Sequence, residues 1–215
     1  LNSPPVQRNL QTLRDYNYQV VESSSGVLAC GEVGSGRLPE PEIIVSEVIK
    51  WKLGSYTKKQ KILITAGRTH EAIDPVRYIS NTSSGLTGLT FAKELLKEGY
   101  EVLLLCGPID YQIEEWIPHH RYTSTAELND LLDQYFESSD VFIQAAAVAD
   151  YRPSQVAQQK IKDSRSLNEI QISKNPDLLR FYASQARPNQ YIIGFALETQ
   201  NIEANALRKL NTKNC

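Results

Sequence analysis

Cysteine is scarce in this chain of 215 residues: there are three, Cys30, Cys106 and Cys215, set far apart. Neither a CxxC pair nor a Cys/His ligand spacing occurs, which argues against a disulfide framework and against a zinc module. A reducing, cytoplasmic compartment is the expectation. Long apolar runs are also missing, since no stretch approaches the ~20 residues that cross a bilayer, and the start carries no signal-peptide pattern. No membrane association is expected. Charge of one sign is lacking too: 23 Lys+Arg stand against 25 Asp+Glu, with a pI near 6.0. Nucleic acid is therefore not an expected partner, and any anion must be bound by local arrangement. GxGxxG and the P-loop spacing are both absent, so the usual nucleotide fingerprints do not apply. The three histidines, His70, His119 and His120, form no metal-ligand pattern. The adjacent pair after Pro118 reads as a surface loop, and metal ligands stay unassigned.

What remains is an ordinary folded composition, 41% hydrophobic and 22% charged. The segment "SPPVQRNLQTLRDYNYQVV" predicts a Pro-started helix with Val6, Leu10 and Leu13 on one face, then a short strand around Val20. The glycines at 26, 31, 34 and 36 predict a loop, and "EPEIIVSEVIKWK" a second helix. Residues 54–60, "GSYTKKQ", suit a linker. From Lys61 onward, apolar runs at 62–66, 101–105, 141–147 and 191–196 alternate with helical patterns near 87–98, 125–137, 176–186 and 200–213. That alternation predicts a mostly parallel sheet covered on both faces, a Rossmann-like α/β architecture. Both ends read as cut, because the first residue is Leu and "LNTKNC" stops directly after a helical pattern.

The stretch "YISNTSSGLTG", residues 78–88, crowds small hydroxylated residues and glycines in front of a helix. In such a sheet, ligands sit outside the carboxyl ends of the strands, where helix N-termini offer free N–H groups and about half a unit of positive charge. Ser83, Ser84 and Thr87 then supply hydroxyls or an N-cap, and the glycines admit close backbone approach. Helix capping alone accounts for the composition equally well. The surroundings tip the balance: "TAGRTHEAIDPVRYISN" places Gly67, Glu71, Asp74, Arg77 and Asn81 after one strand, and "AAAVADYRPSQVAQQKIK" places Asp150, Lys160 and Lys162 after another. A plain strand-to-helix turn needs far less polar functionality.

In order along the chain, "ILITAGRTHEAIDPVRYISNTSSGLTG", "AAAVADYRP", "QKIK", "KNPDLL" and "IIGFALET" resemble the phosphopantothenoylcysteine synthetase domain of the bifunctional coenzyme A biosynthesis flavoproteins, CoaBC or Dfp. "NSPPVQRNL" and "LACGEVGSGRLPEPEII" resemble the closing portion of the flavodoxin-like decarboxylase half of those proteins. The resemblance implies residues 1–53 as a decarboxylase remnant, 54–60 as a linker and 61–215 as a C-terminally truncated ligase domain. It also implies the reaction: CTP activates the carboxylate of 4′-phosphopantothenate as an acyl-cytidylate, with Mg²⁺ present, and L-cysteine then displaces CMP. A homodimer through the ligase domain is implied as well.

Carried over by motif, Asn81 would hold the acyl-cytidylate, Lys160 the nucleotide phosphates, and Arg77 a phosphate or carboxylate across the dimer. Ser83, Ser84 and Gly85 would bind substrate. Gly67, Ala145, Ala146, Asp150, Pro176, Asp177, Leu178, Leu179, Phe195, Lys209 and Lys213 would bind nucleotide. Several have a plainer reading: a surface salt bridge for Arg77, solvated side chains for the lysines, a Pro-started helix for Pro176 and Asp177, a core position for Phe195. Cys30 matches the decarboxylase proton donor, expected to be idle because the flavin-binding part precedes residue 1; FMN binding is not expected here. Two departures stand out. Leu86 replaces a family lysine, and Arg68 replaces a family glycine, which demands a different backbone if that glycine has positive φ. Because the chain ends before the family's next strand, the sheet is expected to expose an edge. A catalytically incomplete nucleotide-binding fragment of the same family is the alternative function, and a different Rossmann-like NAD enzyme a more distant one.

Overall fold

The computed structural model describes residues 3–27, 31, 33–53, 58–162, 169–197 and 200–213. Two compact units divide the chain: Leu1–Ser55 with Glu114–Trp116, and Tyr56–Ile113 with Ile117–Cys215.

In the first unit, helix α1 (Pro4–Asp15) starts with prolines, which lack the N–H that a first turn leaves unpaired, after an extended Ser3. Strands β1 (Ser24–Val27) and β2 (Val33–Arg37) pair antiparallel, and α2 (Pro41–Leu53) follows. Two expectations are corrected. Val20 lies outside any strand, and the glycine-rich stretch forms a hairpin, with Gly26 in β1, Gly34 and Gly36 in β2, and Gly31 at φ +83° between them. Backbone pairing requires no side chain, so composition alone misreads such a ladder as loop. Cys30 and Cys215 lie outside the described residues.

The second unit is built on five parallel strands in the order β11-β8-β3-β6-β7. These are β3 (Lys61–Ala66), β6 (Glu101–Cys106), β7 (His119–Arg121), β8 (Val141–Gln144) and β11 (Tyr191–Gly194). Helices α3 (Leu86–Lys97), α4 (Thr125–Tyr135), α5 (Leu178–Ser184) and α6 (Ile202–Lys213) alternate with them. The Rossmann-like expectation holds. Alternate strand residues feed different faces: Leu63, Leu105 and Phe142 join Leu128, Leu132, Leu178 and Tyr182 in one buried cluster, while Leu89, Ala92 and Leu96 of α3 are buried with α3 lying on β3 and β6.

Helix α3 approaches β3 through Gly88. A Cβ there would sit 2.6 Å from Ala66 Cβ and 2.9 Å from the Thr65 carbonyl oxygen, so the bare backbone is what permits the contact. Beyond the main sheet, β4 (His70–Ala72) pairs antiparallel with β5 (Tyr78–Ser80), and β9 (Tyr151–Pro153) with β10 (Ile172–Lys174). His119 and His120 are not in a loop: they lie on the edge strand β7, opposite Leu104 and Leu105, and the His120 ring stacks on Tyr135 with its Nε2 2.8 Å from the phenol oxygen. Three residues without an apolar run leave no periodicity to read. At the opposite edge is β11, where Tyr191 and Ile193 are exposed.

Candidate functional site

After β3 the chain continues on one side of the sheet through β6 and β7, then returns to the other side of β3 with β8. The carboxyl ends of β3 and β8 therefore flank a topological switch point, where open α/β sheets bind ligands. The segments leaving these two strands stay laced together. Ala145 donates its N–H to the Thr65 carbonyl at 3.2 Å, Ala146 to Thr65 Oγ1 at 3.2 Å, and Ala147 to the Gly67 carbonyl at 2.7 Å. Ala149 donates to Thr69 Oγ1 at 3.0 Å. Gly67 adopts φ +84° with Pro108 and Ile109 against it, and Asp150 is exposed at the end of the run.

The small-residue loop ends at the same place. Asn81 donates through Nδ2 to the Val148 carbonyl at 3.0 Å, which ties the loop to the β8 exit. Ser83 Oγ and Ser84 Oγ accept from the Gly85 and Leu86 amides at 3.4 Å each. The cap itself is Gly85, in the left-handed region at φ +79°, without a side-chain cap hydrogen bond. A serine or threonine cap was the expectation; the close seat against Ile109 and Gly67 leaves no room for a Cβ at position 85. Helix α3 thus begins with weakly satisfied N–H groups, the condition for attracting an oxyanion.

Arg68 has no positive φ, so its difference from glycine is accommodated by the backbone. Its guanidinium donates to the Ser83 carbonyl and, at 2.9 Å, to Asp110 Oδ1.

The tip of the β4–β5 hairpin is organised by Asp74, whose carboxylate accepts from the Val76 and Arg77 amides at 2.8 Å each, from Arg77 Nη1 at 2.7 Å and from the Ile161 amide at 3.1 Å. Burial pushes this carboxyl upward, yet the three amides and the Arg77 charge outweigh it, and its pKa lies below the usual carboxylate range. Arg77 is consequently engaged with Asp74 and the Ile161 carbonyl while keeping part of its guanidinium exposed. These bonds fix the "QKIK" segment beside "DPVR", and Lys160 stands exposed next to the anchor residue Ile161.

A cavity of about 440 Å³ opens between α5, the end of β11 and α6, lined among others by Leu179, Phe195, Lys209 and Lys213. Four predicted nucleotide residues, separated by up to 34 positions, meet there. Phe195 is half exposed and packs against Phe91 of α3 with ring centroids 5.8 Å apart. Lys213 pairs with Asp177 at 2.9 Å, and Asp177 caps α5 by accepting from the Arg180 amide at 3.1 Å. Burial raises the Asp177 carboxyl, but Lys213 and the Arg180 amide reverse the shift and hold it low. Pro176 precedes this cap rather than starting the helix, and Leu178 is buried in the core cluster.

Sequence reasoning missed the buried network behind these loops. Glu71 Oε1 accepts from the Thr125 amide at 3.0 Å and its hydroxyl at 2.6 Å, while Asn175 Nδ2 donates to Thr125 Oγ1 at 3.2 Å and to the Ala149 carbonyl at 2.8 Å. The asparagine in "KNPDLL" was the available signal. Among the described residues, Gln144 Oε1 and His70 Nε2 are buried without a hydrogen-bond partner, and no group of three His, Cys, Asp or Glu residues could hold a metal. No described helix is long and apolar enough to cross a membrane.

Residues 57–215 match the family described as DNA/pantothenate metabolism flavoprotein C-terminal domain. The chain is 40% identical over 211 residues to the coenzyme A biosynthesis bifunctional protein CoaBC of Vibrio cholerae, covering 97% of this chain and 53% of that protein. A protein named cysteine/cysteine sulfinic acid decarboxylase, from an unknown prokaryotic organism, is 37% identical over 224 residues, with 61% of it covered. The chain spans about half the length of the CoaBC relatives it matches. The crystal structure of a CoaBC C-terminal domain superposes with a TM-score of 0.65 at 35% identity, over 75% of this chain and 76% of that one.

Proposed function

Because the chain belongs to the DNA/pantothenate metabolism flavoprotein C-terminal domain family, the ligase region of CoaBC proteins, we propose that it carries the CTP-dependent joining of 4′-phosphopantothenate to L-cysteine. Residues 61–215 are the ligase domain in this reading, residues 1–53 the tail of a decarboxylase half and 54–60 the connection, with Cys30 idle. The observation that carries the proposal is the convergence of Leu179, Phe195, Lys209 and Lys213 on one cavity. A planar aromatic with cations around it suits a nucleotide, whose base stacks and whose phosphates need positive charge.

The carboxylate oxygen of 4′-phosphopantothenate attacks the α-phosphorus of CTP, forming the acyl-cytidylate as the bond to pyrophosphate breaks. The cysteine amine then attacks the acyl carbonyl, loses a proton, and CMP leaves with the carbon–oxygen electron pair. Lys160, exposed beside Ile161, offsets charge on the phosphates during the first step. Asn81, an amide that both donates and accepts, orients the mixed anhydride beside the β8 exit. Arg77, Ser83, Ser84 and Gly85 receive the phosphorylated acid, with α3 adding its N-terminal field. Gly67, Ala145, Ala146, Asp150, Pro176 and Asp177 border the nucleotide. Mg²⁺ would accompany the triphosphate and would offset charge on its phosphate oxygens. The working unit is a cytoplasmic homodimer.

Titration of the purified chain with CTP and Mg²⁺, against ATP and NAD, tests this reading. Selective CTP binding followed by CMP release on adding 4′-phosphopantothenate and cysteine is the expected result. Failure of a folded chain to bind CTP overturns it; binding without CMP release favours the incomplete nucleotide-binding fragment, and saturable NAD binding a different cofactor enzyme.

A further inference from the structure

We propose that Arg68 is a positioning residue for the loop Ser83–Gly85 and the first turn of α3, a side-chain brace that sets their hydroxyls and N–H groups for an oxyanion before any ligand arrives. The inference rests on reading this loop as the subsite for the phosphorylated acid. Three chain segments meet at Arg68: its own, directly after β3; residues 83–85, directly before α3; and residues 107–110, directly after β6. The guanidinium donates through Nη1 to the Ser83 carbonyl and through Nη2 to Asp110 Oδ1 at 2.9 Å. The Asp110 amide returns a bond to the Ser84 carbonyl at 3.1 Å, and the Arg68 amide bonds the Pro108 carbonyl at 3.2 Å. Two consecutive carbonyls of the loop are therefore tethered to the same Arg68–Asp110 pair.

Besides the Asn81 bond at its start and the close seat of Gly85 against Ile109, the loop's own side chains hold it weakly. Its own hydroxyl contacts are long, at 3.4 Å, and its helix cap is a glycine with no side-chain bond. Glycine loses more conformational freedom on ordering than any other residue, so an unbraced Gly85 would make ligand binding bear that cost. A planar fork with donors in fixed geometry can serve Ser83 and Asp110 at once, whereas lysine presents one compact ammonium on a flexible stem. The Arg68 charge is also matched by Asp110 at 2.9 Å, with Arg68 the more buried partner, so its contribution is geometry more than net attraction. Removing it should weaken binding of the phosphorylated acid while sparing nucleotide at the Phe195 cavity, which none of these bonds touches.

Arg68→Gln, Arg68→Lys and Asp110→Asn in the whole chain provide the test, with Asp110→Asn available should Arg68→Gln fold poorly. Two readouts are needed: backbone amide exchange across residues 83–88, and titration with 4′-phosphopantothenate and, separately, with CTP. For Arg68→Gln, exchange in the loop rises about tenfold with α5 and α6 unchanged, and affinity for 4′-phosphopantothenate falls about tenfold while that for CTP stays within about twofold. Asp110→Asn moves the same readouts in the same direction by less, and Arg68→Lys recovers part of the loss. Unaltered loop exchange in Arg68→Gln, or an equal loss for both ligands, overturns the proposal. Should the parent chain bind neither ligand while its loop responds to these substitutions as stated, the ligase reading fails and the brace stands.

Discussion

Arg77 and Ile161, 84 residues apart in the chain, exchange a hydrogen bond of 3.1 Å from Arg77 Nη1 to the Ile161 carbonyl, while the Ile161 amide turns to Asp74 at 3.1 Å. Together with the Ala157 amide, which donates to the Ile73 carbonyl at 2.9 Å, this small knot holds the lysine-bearing segment to the hairpin that carries Arg77 and, farther on, Asn81.

Asp74 should make the fold sensitive to acid. Its folded pKa lies below that of an unfolded aspartate, so the stability it contributes is fully present above about pH 4 and is lost as pH falls through the folded value. Asp177 is displaced in the same direction and adds to the trend. Urea midpoints measured from about pH 7 down to about pH 3 should decline for the parent chain and decline less steeply for Asp74→Asn, which should already be less stable at neutral pH. Parallel slopes for the two would remove Asp74 from the account.

Lys160→Ala should leave thermal unfolding where it is, since the side chain is exposed. CMP release should drop by about two to three powers of ten if the ammonium meets charge that develops on the phosphates. A variant that releases CMP at the parent rate would return Lys160 to the solvated surface.

Phe195 separates two readings that its sequence position could not. A core residue would cost stability on truncation, but this ring is 52% exposed. Phe195→Ala should therefore weaken CTP binding by about 1–3 kcal/mol of lost stacking with little change in melting temperature, and Phe195→Tyr should restore it. A large drop in melting temperature at constant CTP affinity would assign the ring to packing.

Gly88→Val should destabilise by about 1–3 kcal/mol, because its first side-chain carbon meets backbone and Ala66 at closer than normal contact and α3 must lift from β3. Thermal unfolding would detect this, and an unchanged melting point would mean that the helix has slack to give.

The long central strands were legible because continuous apolar runs leave few alternatives to burial on both faces. The antiparallel additions β4–β5 and β9–β10 escaped because three residues cannot display a period. Glu71, Asp74 and Asn175 were harder still: a polar residue in a loop reads as solvated, yet each is buried here against donors or acceptors supplied by chain far away in sequence. The cap of α3 went to glycine over three nearby hydroxyls for a similar reason, since Ile109, not local propensity, decided what could fit. The gathering of Leu179, Phe195, Lys209 and Lys213 was anticipated only through the family resemblance; helical spacing by itself put the two lysines on one face and went no further.

The chain of bonds from Glu71 through Thr125 to Asn175 and Ala149 also bears on how this site can change over time. One carboxylate oxygen, one hydroxyl and one amide secure stretches that leave β3, enter α4 and leave β8. Losing Glu71 leaves the Thr125 amide and hydroxyl proton without this acceptor, and losing Asn175 leaves the Ala149 carbonyl without this donor, so a single loss costs more than the bond it removes. Gradual, one-at-a-time divergence at these positions meets a barrier at its first step. The accessible route runs through joint replacement, which leaves the surrounding loops free to drift while this triad stays put.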